Sequence, residues 1–181
     1  ELEITPTGVE WGLMRTATGA LHQVNFSGAY WTTYLLDNGP VGEDFELAMD
    51  ANGTAHILYS RVNAQEIVLM RVTGMERDVR ILERNANLVD ALGMDLDANA
   101  IEQIATAYQN GATFTINLIR SLDGQDSGRV DPTPTQLREG EEDENEGSML
   151  LADLNADGFD DLVVATPEAD LLTFTNNGRV D

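Results

Sequence analysis

The sequence predicts an all-β chain of about four blade-like repeats, each made of three to four short antiparallel strands. Three observations lead there. Short apolar runs rich in Val, Ile, Thr and aromatic residues recur, bounded by turn residues. One turn layout occurs four times: a small polar turn with Gly or Ala, a polar residue three positions on, then an apolar strand. Sustained helical periodicity is absent. Only residues 99–109 read as helical in isolation, and their alignment with three strand segments makes them a strand entry.

The first repeat, 1–42, turns at Thr16-Ala-Thr-Gly19 and reaches His22. It then runs Gln23-Val-Asn-Phe26 and Tyr30 to Leu36, ending at Asp37-Asn-Gly39. The second, 43–84, turns at Asp50-Ala-Asn-Gly53 and reaches His56. Its strands are Ile57-Leu-Tyr-Ser60 and Ile67 to Val72, ending at Thr73-Gly74. The third, 85–124, turns at Asp95-Leu-Asp-Ala-Asn-Ala100 and reaches Gln103. Ile104 to Tyr108 and Thr113 to Ile119 follow, ending at Asp123-Gly124. Residues 125–148 hold Asp131-Pro-Thr-Pro-Thr135 and a dense acidic run to Gly147, which predicts a flexible acidic insertion. The fourth repeat, 149–181, is an incomplete blade. It turns at Asp153-Leu-Asn-Ala-Asp-Gly158, reaches Asp161, and runs Leu162-Val-Val-Ala165 and Leu171 to Thr175 before Asn176-Asn-Gly178. Spacing between turns is irregular, with most variation after the second core strand. Repeats of this size and content describe blades of a β-propeller or part of one.

Composition narrows function. The chain has 181 residues and a net charge of −22, and all of its ten basic residues are Arg. Such a surface repels phosphate backbones and anionic headgroups, so nucleic acid is an unsuitable partner. No apolar run is long enough for a membrane-spanning helix, so no membrane insertion is expected. The absence of Cys excludes disulfides and thiolate chemistry. Neither an initiator Met nor a signal core opens the sequence, which reads as a mature or excised piece of something larger. Excess carboxylate suits divalent cations; adaptation to salt is the competing reason for the acidity.

The fourth turn carries the chemistry. With Asp153 as position one, Asn155 is three, Asp157 five and Asp161 nine, while Phe159 at seven offers its backbone carbonyl. Calcium takes six to eight oxygen ligands in irregular geometry, and alternate acidic or amide side chains on a turn can wrap it. Gly158 permits the sharp turn. Without a cation, three carboxylates would crowd one another. Val164 stands where an EF-hand has its bidentate Glu, so a loop feeding a strand is favoured. The competing reading is an Asx turn closed by its own side chains. The third turn offers a weaker version, with Asp95, Asp97, Asn99 and Gln103 and the carbonyl of Ile101. The first and second turns place Met14 and Ala48 at position one and histidines at nine, and are expected to be metal-free.

The segment Leu151 to Val164, followed by Leu171-Leu-Thr-Phe-Thr-Asn-Asn-Gly178, resembles the FG-GAP/VCBS repeats of integrin-α-like β-propellers. The third repeat is a degenerate version. The first two are similar to metal-free blades with Gly-Ala-Leu-His22 and Gly-Thr-Ala-His56 turns. Ala165-Thr-Pro167 stands near the place of the family's Gly-Ala-Pro. The resemblance implies a propeller of more blades than four, with structural calcium, serving in adhesion or ligand binding. The expectation is a non-enzymatic, calcium-stabilised module, extracellular, cell-surface or periplasmic. Its partner would be a protein or glycan ligand, or remaining blades of the same propeller. Two alternatives stand: an accessory or shell propeller of a larger secreted enzyme or toxin, and a calcium-dependent, phytase-like propeller hydrolase. His22 and His56 are expected to bond their own turns. Trp11, Trp31, Tyr30 and Tyr34 are expected to pack in the core before lining any ligand surface.

Overall fold

The computed structural model describes residues 2–4, 10–26, 28–96, 102–110, 113–122, 125–130, 148–152, 154–156, 161–165 and 171–174. Among the described residues, fifteen strands form four antiparallel sheets, each joining strands adjacent in sequence, and no helix occurs. Sheet one holds β1 (Leu2–Ile4), β2 (Glu10–Arg15), β3 (Leu21–Phe26) and β4 (Trp31–Asp37). Sheet two holds β5 (Val41–Met49), β6 (Ala55–Arg61), β7 (Glu66–Thr73) and β8 (Glu76–Arg84). Sheet three holds β9 (Leu88–Leu96), β10 (Glu102–Asn110), β11 (Thr113–Leu122) and β12 (Gln125–Val130). Sheet four holds β13 (Ser148–Ala152), β14 (Asp161–Ala165) and β15 (Leu171–Phe174). Three or four antiparallel strands in meander order is the topology of a propeller blade. Glu1–Ala86 and Asn87–Asp181 form separate units.

In the first unit the period-two alternation of strands sets what is buried. Trp11 and Leu13 of β2, Leu21 of β3 and Leu36 of β4 lie on one face of sheet one. They pack against Ile57, Tyr59, Val68 and Met70 of sheet two. Each fully buried side chain of this kind contributes roughly 1.5–3 kcal/mol. β6 is buried on both faces from Ala55 to Ser60, which explains its unbroken apolar stretch Ile57-Leu-Tyr. Gly19 and Gly39 let the two sheets meet. Gly19 has φ +86°, and a Cβ there would stand 2.8 Å from Pro40 Cα. Its carbonyl accepts the Val41 N–H at 2.9 Å, while Arg15 Nε donates to the Val41 carbonyl at 2.8 Å.

In the second unit, Glu102 to Tyr108 of β10 are buried between β9 and β11. This segment is a strand despite its helix-like Ile-Glu-Gln-Ile-Ala, because ladders on both sides override local propensity. β13 lies beside β9 and β10.

The structure differs from the sequence reading in three places. β5 begins at Val41, so the boundary expected at 42/43 falls inside a strand. Gln125–Val130 is a strand paired with β11 and not the start of a flexible insertion, so sheet three extends past 124. Its sequence Gln-Asp-Ser-Gly-Arg-Val lacks apolar alternation, and backbone pairing alone defines it. Residues 131–147 of that insertion lie outside the described residues. Tyr30, Trp31 and Tyr34 are exposed, at 64%, 51% and 50%; of the four aromatic residues expected in the core, Trp11 is buried. Among the described residues β4 is an edge strand of its sheet.

Candidate metal-binding turns

The first two turns share one bonding pattern. Thr16 N–H donates to the Ala20 carbonyl and Gly19 N–H to the Thr16 carbonyl; Asp50 N–H donates to Thr54 and Gly53 N–H to Asp50 in the same way. The side chain at this position closes the turn. Thr16 Oγ1 accepts from Ala20 N–H at 3.0 Å, and Asp50 Oδ1 accepts from Asn52 N–H at 2.9 Å and Thr54 N–H at 2.8 Å. Gly19 and Gly53, at φ +86° and +83°, occupy the left-handed position of this three-residue hairpin. Burial raises the Asp50 carboxyl, but the N–H groups of Thr54 and Asn52 and the nearby His56 outweigh it, and its pKa falls below the ordinary aspartate value. His56 Nε2 lies 3.8 Å from Asp50 Oδ2, facing its own turn. His22 does not repeat this: its Nδ1 is buried without a hydrogen-bond partner among the described residues.

Positions one and nine are direct cross-strand partners in the first three sheets. The pairs are Met14 with His22, Ala48 with His56, and Asp95 with Gln103. The first two ladders end at Arg15 with Leu21 and Met49 with Ala55, each leaving five residues to turn, and the third is described as far as Leu96 with Glu102. Sheet four departs from this. Its last described pair is Ala152 with Asp161. A ladder continued as in the other sheets would set Asp153 opposite Asp161. The described pairs are one residue out of that register.

Of the five residues expected to hold calcium in the fourth turn, the structure describes Asn155 and Asp161; Asp153, Asp157 and Phe159 lie outside the described residues. Asp161 begins β14 and is only 2% exposed. Its Oδ2 accepts the Leu154 N–H at 3.1 Å, so this carboxylate is turned in on the connection. Asn155 is exposed beside Ala156, which has φ +60°. In the third turn, Asp95 is exposed on β9 and accepts the Leu96 N–H, whereas Gln103 is buried on β10. Asp97, Asn99 and Ile101 lie outside the described residues. Sequence reasoning passed over Glu102, which is fully buried next to Gln103. Among the described residues no three His, Asp or Glu side chains converge as metal ligands.

A second polar constellation joins sheets one and two and was not legible beforehand. Asp37, at the end of β4, accepts from Gly39 N–H, Tyr59 Oη at 3.0 Å and Arg61 Nε at 2.8 Å. Arg61 also reaches Glu66 at 3.4 Å, and Glu66 accepts Arg84 at 2.7 Å. Burial pushes Asp37 up, but Gly39, Arg61 and Tyr59 together hold it below its ordinary value. Burial and Asp37 drive the Tyr59 hydroxyl well above its usual range, so it stays a protonated donor. Every partner is engaged within the chain, so the chemistry is that of a staple between sheets. The sequence showed Asp37 only as a turn residue.

Residues 147–181 match the FG-GAP repeat model. No curated protein matches the sequence. Among solved structures, a fucose lectin from Kordia zhangzhouensis in complex with methyl-fucoside is similar at 15% identity and a TM-score of 0.49. The match covers 69% of this chain and 92% of that one.

Proposed function

We propose that the chain is a calcium-stabilised, extracellular β-propeller segment acting as a binding, adhesion or scaffolding module. The carrying observation is the fourth turn. The FG-GAP match at 147–181 includes the connection before Asp161, and Asp161 is buried with its carboxylate accepting the Leu154 N–H of that connection. Calcium held by Asp153, Asn155, Asp157, Asp161 and the Phe159 carbonyl would neutralise the carboxylates and fix the turn. Such an ion is a strut for one sheet, and its role is stability. Extracellular modules take calcium at about 10⁻⁴–10⁻³ M, which suits an exported protein. The absence of a legible catalytic set in the sequence favours binding over turnover. A protein or glycan ligand is the partner class.

The test is thermal unfolding with and without calcium. Calcium from micromolar to millimolar raises the Tm, and Asp157→Ala removes most of that rise, since the ion binds the folded state alone. A Tm indifferent to calcium across this range would sink the calcium reading. Calcium-dependent turnover of a phosphate ester would replace the binding module with a hydrolase.

A further inference from the structure

β4 and β7 hold the same place in their sheets, each pairing with the strand that leaves the turn. β7 is covered by β8, and its residues Glu66 to Met70 are buried. Among the described residues no strand pairs with the outer side of β4. The fourth strand of sheet one, β1, joins the opposite edge against β2. Alternate N–H and C=O groups of β4 therefore point away from β3; the Leu36 carbonyl near its end accepts Arg77 Nη1 at 3.3 Å, and the stretch around Thr33 is the part offered to another strand.

Edge strands usually carry charges, prolines or bulges that deter such pairing. β8, the outer edge of sheet two, is defended: Glu76, Arg77, Asp78, Arg80, Glu83 and Arg84 are six of its nine residues. β4 reads Trp-Thr-Thr-Tyr-Leu-Leu-Asp, and residues 27–36 carry no charge in a chain of net −22. Trp31, Tyr34 and Leu35 are about half exposed on it.

The edge is also complementary to itself. A two-fold antiparallel pairing centred on Thr33 sets Trp31 opposite Leu35 of a second copy, Thr32 opposite Tyr34, and Thr33 opposite Thr33. Aromatic–aliphatic and Thr–Thr pairs are favourable across strands, and an isologous contact closes as a dimer. Asp37 then falls opposite residue 29 and away from the other Asp37. Two chains of −22 repel each other over most of their surface, so copies can meet closely only where carboxylates are missing. β4 is such a place. We infer that β4 is a homodimerisation edge, at which two copies of this chain pair their first sheets into one continuous sheet. This inference does not rest on the calcium reading.

The experiment measures mass by light scattering and sedimentation over a range of protein and salt concentrations. The wild-type chain forms a dimer that tightens with added salt, because screening weakens the repulsion between like-charged copies. Thr33→Glu sets two carboxylates against each other on the two-fold axis and weakens association by roughly tenfold or more. Its Tm in the monomer stays unchanged, since Thr33 is exposed. Val79→Glu on β8 leaves the dimer intact. The natural chain has no Cys, so Thr33→Cys gives a clean cross-link test. Mild oxidation links it into dimers, because directly opposed Cα atoms lie within disulfide reach; Thr18→Cys in the exposed first turn does not link. A wild-type monomer at every salt concentration overturns the inference. So does a dimer untouched by Thr33→Glu, or a failure of Thr33→Cys to cross-link. A monomer that instead captures an extended cationic peptide, more weakly as salt rises, would give the edge to a different partner.

Discussion

The second and fourth turns have the same number of residues between positions one and nine, yet their ladders differ in register. In the second, Ala48 pairs with His56, the ladder continues to Met49 with Ala55, and Asp50 satisfies two backbone N–H groups. In the fourth, the described ladder runs to Ala152 with Asp161, one residue out of the second's register. Chain length is not the cause, because spacing along the sequence is equal. The difference lies in the register, which sets Ala152 opposite Asp161 and not opposite Leu162. One carboxylate serves a turn by accepting N–H donors. Several carboxylates exceed the local donors and favour a cation. An acidic turn therefore reads as a metal site only when its acids outnumber the backbone groups that can absorb them.

The largest effect tests what the closed turns require. Gly19→Ala forces a non-glycine residue to φ +86° and drives a Cβ against Pro40, at 2.8 Å from its Cα. Backbone strain and crowding together should cost about 3 kcal/mol. Gly53→Ala meets a similar φ of +83° with nothing within 4 Å, and should cost about 1–2 kcal/mol. Urea unfolding of both variants checks the difference. Equal costs would mean that the packing of turn one on Pro40 contributes nothing.

Next comes an exchange of turns. Replacing residues 153–160 with Asp-Ala-Asn-Gly-Thr, residues 50–54 of the second turn, leaves five residues between Ala152 and Asp161. The calcium-dependent rise in stability should vanish, a loss of about 2.7 kcal/mol at a calcium concentration one hundred times Kd. Stability without calcium should be kept or improved. A graft that still responds to calcium would move the ion elsewhere in the chain.

Asp50→Ala is smaller. It leaves the Asn52 and Thr54 N–H groups without their acceptor and should cost about 1–2 kcal/mol. Asp50→Asn keeps an oxygen acceptor and should recover much of that. If Asn and Ala behaved alike, the attraction between Asp50 and His56, and not turn closure, would be the important contact.

The core strands and the repeated turns were legible because they follow alternation and Gly placement. Ile57 to Ser60 and Ile67 to Val72 fall within β6 and β7 for that reason. Long-range choices were not legible. Nothing in Leu2-Glu-Ile4 says that it joins β2, and Gln125 to Val130 has no apolar face to mark it as a strand. Tyr30, Trp31 and Tyr34 have core composition, yet they are exposed, because burial depends on what packs over a face and not on the residue type. The candidate oxygen donors of the fourth turn could be counted in the sequence. The shift of its register to Ala152 could not, because register depends on which residues face each other across the ladder.

The smallest effect is acid unfolding of the first unit. Both Trp residues, Trp11 and Trp31, lie in that unit, so tryptophan fluorescence reports it alone. Asp37 and Asp50 have folded pKa values below the ordinary 3.8. The unfolded state therefore binds more protons as the pH falls through 3.8, but the folded state resists until its lower values are reached. Their contribution is complete above the unfolded value and is lost as the pH drops through the folded one. Stability against urea should fall in that acid window, and Asp50→Asn should make the fall shallower by removing one such group. Asp37→Asn should flatten it further, because Asp37 accepts from Tyr59 and Arg61 across the contact between sheets as well as from Gly39. An acid slope identical in all three proteins would show that neither carboxylate is held by its donors, and the closed turn would owe its stability to Gly53 and the backbone bonds.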